Sequence, residues 1–91
     1  MTYAVVLSED DGPEHAGRLE LARDGLAFSG GGCVPYSALR DVYVERRVHG
    51  RPALILVSDV GERLRIESLE GLGALHELAE QVFEARGKAA T

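Results

Sequence analysis

Short apolar runs separated by turn residues occupy the first two thirds of the chain. Apolar and polar residues alternate with a period of two in residues 17–23 and 63–67, which is typical of strands with one buried face. Five further runs have strand character: residues 3–8, 26–29, 33–36, 39–48 and 53–57. This rhythm predicts about six or seven short antiparallel strands joined by tight turns.

The alternation also predicts which side chains face the core. Leu19 and Leu21 are expected inside, whereas Arg18 and Glu20 are expected outside. The run 53–57 is apolar throughout, so it predicts a strand that is covered on both faces or placed centrally. Pro35 removes a hydrogen-bond donor, and the run 33–36 is therefore expected at an edge of the sheet.

Glycine marks most of the predicted turns. Asp24 and Gly25 are expected to form a two-residue hairpin turn with positive φ angles. His49 and Gly50 predict a second turn, and residues 59–62 a third. The three consecutive glycines at 30–32 are interpreted as a flexible break in the chain.

After residue 67 the apolar period changes from two to about 3.6, which predicts one amphipathic helix. Ser68 is a candidate N-cap, and Gly71 and Gly73 weaken the first turn, so the regular helix is expected from about Leu72. Gly87 predicts the C-terminal end. The apolar stripe comprises Leu69, Leu72, Leu75, Leu78, Ala79, Val82 and Phe83.

Together these elements predict a single domain over residues 1–87 and a short tail at 88–91. The fold class is mostly β (α+β). Six or seven strands in so small a chain are expected to curl, because a flat sheet would leave its second face wet and its edges open. We therefore expect a small curled antiparallel sheet, or partly open barrel, capped by one C-terminal helix.

The order of elements resembles a known family. The relevant stretches are the hairpin at residues 24–28, the extended segment 34–42, the strands at 54–57 and 61–67, and the terminal helix. This pattern is similar to that of a pleckstrin-homology-like (PH-like) domain, in particular its small bacterial versions, over residues 4–85. The resemblance implies seven strands in two near-orthogonal sheets with a helix closing one end, and it implies no single function.

Charge narrows the choice of partner. The net charge is −5, so general nucleic-acid binding is not expected, because it requires a positive field. Residues 40–65 carry a net charge of +2 between two acidic flanks, and this basic middle is where an anionic ligand or lipid headgroup could dock. Lipid-binding PH relatives carry basic residues around the first hairpin. Here the corresponding loop, residues 9–14, is acidic, which argues against inositol phosphate binding at that place.

The sequence offers little support for catalysis. His15, His49 and His76 lie far apart without metal-ligand spacing, and the acidic loop lacks the alternating pattern of a calcium site. Cys33 is interpreted as a structural or incidental thiol rather than a nucleophile, because no local signature supplies a base. We therefore predict a non-enzyme without cofactor or metal. The first residues resemble neither a signal peptide nor a membrane span, so the expected location is the cytoplasm.

One group of residues is the candidate binding surface. Arg46, Arg47, His49 and Arg51 flank one predicted hairpin turn, where they could converge on a phosphate or carboxylate. The other members are Tyr43, Arg63 and Arg65 on neighbouring strands. The sequence leaves two hypotheses open. The domain mediates protein–protein interaction or self-association, with Tyr43 as an anchor and residues 33–36 as an open edge; alternatively, it binds an anion or a membrane surface through this hairpin.

Overall fold

A computed structural model of the chain describes residues 2–9, 12–46 and 50–89. Within these residues the chain forms seven strands and then one α-helix. The strands are β1 (Thr2–Glu9), β2 (His15–Leu21), β3 (Gly25–Phe28), β4 (Gly32–Pro35), β5 (Leu39–Glu45), β6 (Ala53–Ser58) and β7 (Arg63–Ser68), and the helix is α1 (Leu72–Ala89). A short 3₁₀ helix, Tyr36–Ala38, joins β4 to β5.

The strands form one antiparallel sheet in the order β4-β3-β2-β1-β7-β6-β5. Two meanders, β1–β4 and β5–β7, meet where β1 pairs with β7, so that Val5 lies between Gly17 and Ser68. The sheet curls into a half-barrel that the C-terminal helix caps, which confirms the predicted fold class. The resemblance implied two sheets, whereas hydrogen bonding here is continuous through β1 and β7; the architecture is compatible with a PH-like fold.

The core lies on the concave face of the sheet, against α1. The alternation predicted Leu19 and Ile66 inside, and both are fully buried there, as are Val5 and Leu54. Buried residues from both meanders and from the helix form one hydrophobic cluster, and this shared core stabilises the curved form of the sheet. The edge position predicted for residues 33–36 is confirmed, since β4 ends the sheet.

Strand β6 is buried on both faces, as its continuous apolar run predicted. Leu54 and Leu56 point into the core. Ala53, Ile55 and Val57 form a second, smaller cluster on the convex face, which we call the outer face, and Tyr43 of β5 packs against it. The Tyr43 side chain therefore shields the outer face of β6 from water.

The helix begins and ends differently from the sequence prediction. Ser68 is the last residue of β7, and its Oγ accepts the backbone N–H of Glu70 at 3.1 Å, so it stabilises the turn before the helix rather than the helix itself. The regular start at Leu72 is confirmed. The predicted end at Gly87 is wrong, because α1 continues to Ala89. Among the described residues no helix is both long and apolar enough to cross a membrane.

The predicted apolar stripe is only partly buried. Leu75, Leu78, Ala79 and Val82 lie in the core. In contrast, Leu69, Leu72 and Phe83 remain 50%, 54% and 43% exposed. The reason is geometric: the half-barrel contacts an arc of the helix centred on Leu75, Leu78 and Val82, and the stripe is wider than this arc.

The structure corrects the turn predicted at Asp24 and Gly25. The β2–β3 turn is formed by Arg23 and Asp24, since the N–H of Ala22 bonds the carbonyl of Gly25 at 2.9 Å. Gly25 is itself the first residue of β3, where a Cβ atom would lie 2.4 Å from the Val34 carbonyl oxygen. Close approach of β4 therefore requires this glycine, rather than a positive φ angle.

The three glycines at 30–32 are part of a tight hairpin rather than a flexible break. The N–H of Gly31 bonds the carbonyl of Phe28 at 3.0 Å, and its φ angle of 90° is one that glycine adopts readily. Gly32 already belongs to β4. The turn predicted at residues 59–62 is confirmed by the bond from Gly61 N–H to the Ser58 carbonyl at 2.9 Å.

Candidate functional site

The two ends of the sheet, β4 and β5, are its open edges. β4 has four residues, begins with glycine and ends with proline, which makes it a poor template for a further strand. β5 has seven residues and contains neither glycine nor proline. Its hydrogen-bonded neighbour is β6 alone. β5 is therefore the longer edge and the better template.

The beginning of the β5 edge is covered by the helix. Nε of Arg86 donates to the Leu39 carbonyl at 3.1 Å, and Nη2 of the same guanidinium donates to the Arg40 carbonyl. Each of these carbonyls would otherwise face solvent or a new strand. Arg86 thus anchors the C-terminal half of α1 to the strand and protects this part of the edge.

Further along the edge, the Asp41 side chain accepts a hydrogen bond from the backbone of the next residue. The N–H of Val42 donates to Oδ1 of Asp41 at 2.9 Å, so this N–H points away from β6. Successive residues of an antiparallel strand present their backbone groups to alternate sides. The register is regular from Asp41 to Glu45, and Val44, two residues after Val42, therefore also presents its N–H to the open side.

Tyr43 lies on the outer face of β5, as predicted. It pairs with Ile55 across β5 and β6, and its half-buried ring packs on Ala53, Ile55 and Val57. The ring therefore supports the sheet, and its remaining surface lies beside the open edge.

Arg65 is held by carboxylates. Its Nη1 lies 2.8 Å from Oε2 of Glu45, which is two strands away, and its Nη2 lies 3.6 Å from Oε1 of Glu67. Nη2 also donates to the carbonyl of Arg51 at 3.0 Å. The Arg65 side chain is only 17% exposed. Because two carboxylates balance its charge, Arg65 contributes little to an anion-binding surface.

The other members of the candidate surface are distributed unevenly. Arg46, Arg51 and Arg63 are exposed. Arg63 is on the outer face of β7, opposite Val57 of β6. Arg47 and His49 lie outside the described residues, so the predicted convergence of the hairpin stays a prediction. What the structure does bring together on the outer face is Arg65, Glu45 and the Arg51 carbonyl.

Two tyrosines connect distant elements. The hydroxyl of Tyr3 donates to Oε1 of Glu77 at 3.2 Å, and the hydroxyl of Tyr36 donates to the Ala22 carbonyl at 2.8 Å. Burial, followed by the hydrogen bond and the negative charge of Glu77, raises the pKa of Tyr3 above 10.0. Burial also raises the pKa of Tyr36. These hydroxyls are structural hydrogen-bond donors in the folded protein.

Neither the histidines nor the cysteine forms a visible reactive group. His15 and His76 are exposed on β2 and α1, while His49 lies outside the described residues. Within the described parts of the chain, no three His, Cys, Asp or Glu side chains are grouped to hold a metal ion. Cys33 is exposed on β4, which leaves the incidental alternative for this thiol rather than the structural one.

One groove lies at the end of the half-barrel away from the helix. It has a volume of about 840 Å³, and its apolar lining includes Leu7, Phe28, Val34 and Leu64. A second groove, of about 790 Å³, lies between the β2–β3 turn and the C-terminal half of α1. Both are open surface features with mixed lining, and neither encloses a ligand-sized cavity in the half-barrel.

Two features of the molecular surface were not predicted from the sequence. One is the open edge of β5, which a local pattern cannot reveal because strand order depends on the β1–β7 pairing. The other is the exposed group Leu69, Leu72 and Phe83. The width of the apolar stripe was a usable signal for the second feature, since seven apolar positions exceed what one side of a small sheet covers.

Comparison with known proteins adds no family assignment. None of the protein-family models matches this chain, and no curated protein sequence does.

Proposed function

We propose that this domain is a non-catalytic module that binds a protein segment by strand addition at the open edge of β5, either from a partner or from a second copy of itself. The observation that carries this proposal is the position of β5, a seven-residue strand that ends the sheet. Exposed strand edges bind extended segments through main-chain hydrogen bonds, and neighbouring side chains supply specificity.

The protection of the edge is uneven. In the described residues, the contacts that cover it lie at Leu39, Arg40 and Val42. The segment 43–45 follows them with the regular geometry of a strand. An incoming segment would therefore pair with this second half, and it would extend along the first half only by displacing Arg86.

Side chains beside the edge suit recognition. Tyr43 offers an aromatic surface that is already ordered by its packing on Ile55. Tyrosine is over-represented among residues that dominate binding energy, because it combines apolar area with a polar group. Tyr43 is thus the side chain that we assign as the anchor for an added strand.

The PH-like resemblance is a second support for the proposal. The number of strands and the closing helix are those that the resemblance implies, although the strands form one continuous sheet. Because a fold of this kind hosts many functions, the resemblance supports a binding role only in general, and the edge geometry supplies the particulars.

The test begins with the mass of the purified domain in solution. Light scattering after gel filtration, across a wide concentration range, separates a monomer of 9.8 kDa from a dimer. In parallel, a library of random 12-residue peptides is displayed on phage and selected against the domain. Amide chemical shifts of the labelled domain then show where the selected peptides bind.

The decisive variant is Val44→Pro, which removes the N–H that we assign to the open side. Val44→Thr is its matched control, because threonine keeps the N–H and nearly the same shape. We expect Val44→Pro to abolish dimerisation or peptide binding and Val44→Thr to retain most of it. A strict monomer for which no selected peptide perturbs β5 amides would overturn the proposal.

A further inference from the structure

Helix α1 carries an exposed apolar strip beside its buried face. Leu72, His76 and Phe83 are spaced four and seven residues apart, so they lie on one side of the helix. Leu72 is 54% exposed and Phe83 is 43% exposed. Apart from Leu69, which lies three residues before the helix, the other strongly exposed large apolar residue in the described chain is Val60, on the β6–β7 turn.

An acidic side chain lies directly next to this strip, because Glu80 is four residues after His76 and three before Phe83. Glu77, Glu80 and Glu84 are exposed, and their spacings of three and four residues place them in one row along the helix. Glu84 has Lys88 four residues later, whereas no Lys or Arg lies three or four positions from Glu80 or Glu77. Like charges at this spacing repel one another and destabilise a helix, so a nearby cation would be favourable.

From this arrangement we infer that the strip formed by Leu72, His76 and Phe83, with its row of glutamates, is a docking surface for a basic amphipathic helix of a partner protein. The inference rests on the proposed role as a protein-binding module and adds a second surface to it. The partner's apolar side chains pack on Leu72 and Phe83, and its Lys or Arg side chains face Glu80.

Charge complementarity selects this occupant over the alternatives. A second copy of the chain would bring the same glutamates and a net charge of −5 to the interface, so the two copies repel each other there. An anionic membrane is repelled for the same reason. The strip also has the length of a short helix, because the eleven steps from Leu72 to Phe83 span roughly 16 Å at 1.5 Å per residue.

The probe for this surface is a fluorescently labelled 14-residue peptide of leucine and lysine with helical spacing. A second peptide, in which glutamate replaces lysine, is its charge-reversed control. Binding to the full chain is followed by fluorescence anisotropy at low and high salt, and amide chemical shifts locate the contact. We expect the lysine peptide to bind, to weaken as salt rises, and to perturb α1 amides, while the glutamate peptide does not bind.

Three variants assign the binding to the strip. The double variant Leu72→Ser/Phe83→Ser is expected to weaken binding of the lysine peptide by at least tenfold, and Glu80→Lys by several-fold. Val60→Ser is the matched control, because it removes an exposed apolar side chain on another element, outside the strip, and should leave the dissociation constant unchanged. Circular dichroism verifies that each variant is folded.

Absence of lysine-peptide binding overturns the inference. It is also overturned if the Leu72→Ser/Phe83→Ser variant binds the lysine peptide as tightly as the wild-type chain, or if the glutamate peptide binds equally well. This failure is separate from failure of the proposed function. Phage-selected peptides that perturb β5 and lose affinity in Val44→Pro leave strand addition intact, whatever the lysine peptide does. Conversely, strip binding that survives Val44→Pro supports this inference even where β5 binds nothing.

Discussion

Arg65 of β7 reaches across β6 to Glu45 of β5, with 2.8 Å between Nη1 and Oε2. The stem of this arginine starts opposite Ile55, and its guanidinium also bonds the Arg51 carbonyl. The pair therefore connects three strands on the outer face and helps to cover the apolar residues of β6. A residue first considered for anion binding acts here as a structural connection.

Removal of this connection should destabilise the domain. Arg65→Met keeps most of the apolar stem but loses the bonds to Glu45 and Arg51. We expect the free energy of unfolding to fall by about 1–2 kcal/mol, because charge-assisted hydrogen bonds at a partly exposed site are worth this much. Urea unfolding of Arg65→Met, Glu45→Gln and the double variant measures the coupling. Additive effects of the two substitutions would contradict the connection.

Gly25 should not tolerate a side chain. In Gly25→Ala the new Cβ would lie 2.4 Å from the Val34 carbonyl oxygen and 2.9 Å from Cα of Pro35, so β3 and β4 must separate. We expect a loss of about 1–3 kcal/mol in urea unfolding, as for other overpacked sites. Gly30→Ala is the control, because nothing lies within 4 Å of its Cβ position. Equal stability of the two variants would contradict this prediction, because it would mean that β4 can shift away from β3 at no energetic cost.

Arg86 should control access to the β5 edge. Arg86→Ala exposes the Leu39 and Arg40 carbonyls and releases the C-terminal half of α1 from the strand. We expect lower stability together with stronger self-association in light scattering, because more of the edge becomes available. Arg86→Lys tests the need for the planar guanidinium, since one ammonium group cannot reproduce both bonds. A destabilised variant with no change in mass would limit Arg86 to a purely structural role.

Stability should fall at alkaline pH through two tyrosines. The folded-state pKa values of Tyr3 and Tyr36 lie above the unfolded value of 10.0, so folded protein keeps protons that the unfolded chain has released. Their contribution is therefore complete below about pH 10 and declines as pH rises through the folded-state pKa. Urea unfolding between pH 8 and 11 should show a shallower decline for Tyr3→Phe/Tyr36→Phe than for the wild-type chain. Parallel declines would contradict the assignment.

The anion hypothesis makes a different prediction. If the 46–51 hairpin binds anionic vesicles, the binding is weak, fades as salt rises and disappears in Arg46→Ala/Arg47→Ala. Arg23→Ala is the control, since Arg23 is exposed on the distant β2–β3 turn. Because carboxylates already balance Arg65, we expect vesicle sedimentation to detect no binding at physiological salt. Binding at that salt which depends on Arg46 and Arg47 would favour the hairpin over β5.

Local pattern was sufficient for the elements of this protein and for most of its core. Alternation placed Leu19 and Ile66 inside, and the change of period located α1, because side-chain direction follows directly from backbone geometry. The terminal Gly87 was misleading, since packing of neighbouring turns keeps a glycine helical when its own propensity is unfavourable. Of the candidate surface, the sequence identified the outward position of Tyr43 but not the carboxylate partners of Arg65.

The sequence by itself determined the strands, the helix, and the inward direction of most side chains of the core. Only the tertiary structure decided that β5 is an open edge, that Arg65 is paired with Glu45, and that Leu72 and Phe83 remain exposed. The physical reason is that a strand or helix depends on interactions between residues close in the chain. An edge, an ion pair across three strands and an uncovered helix strip depend on which distant segments meet.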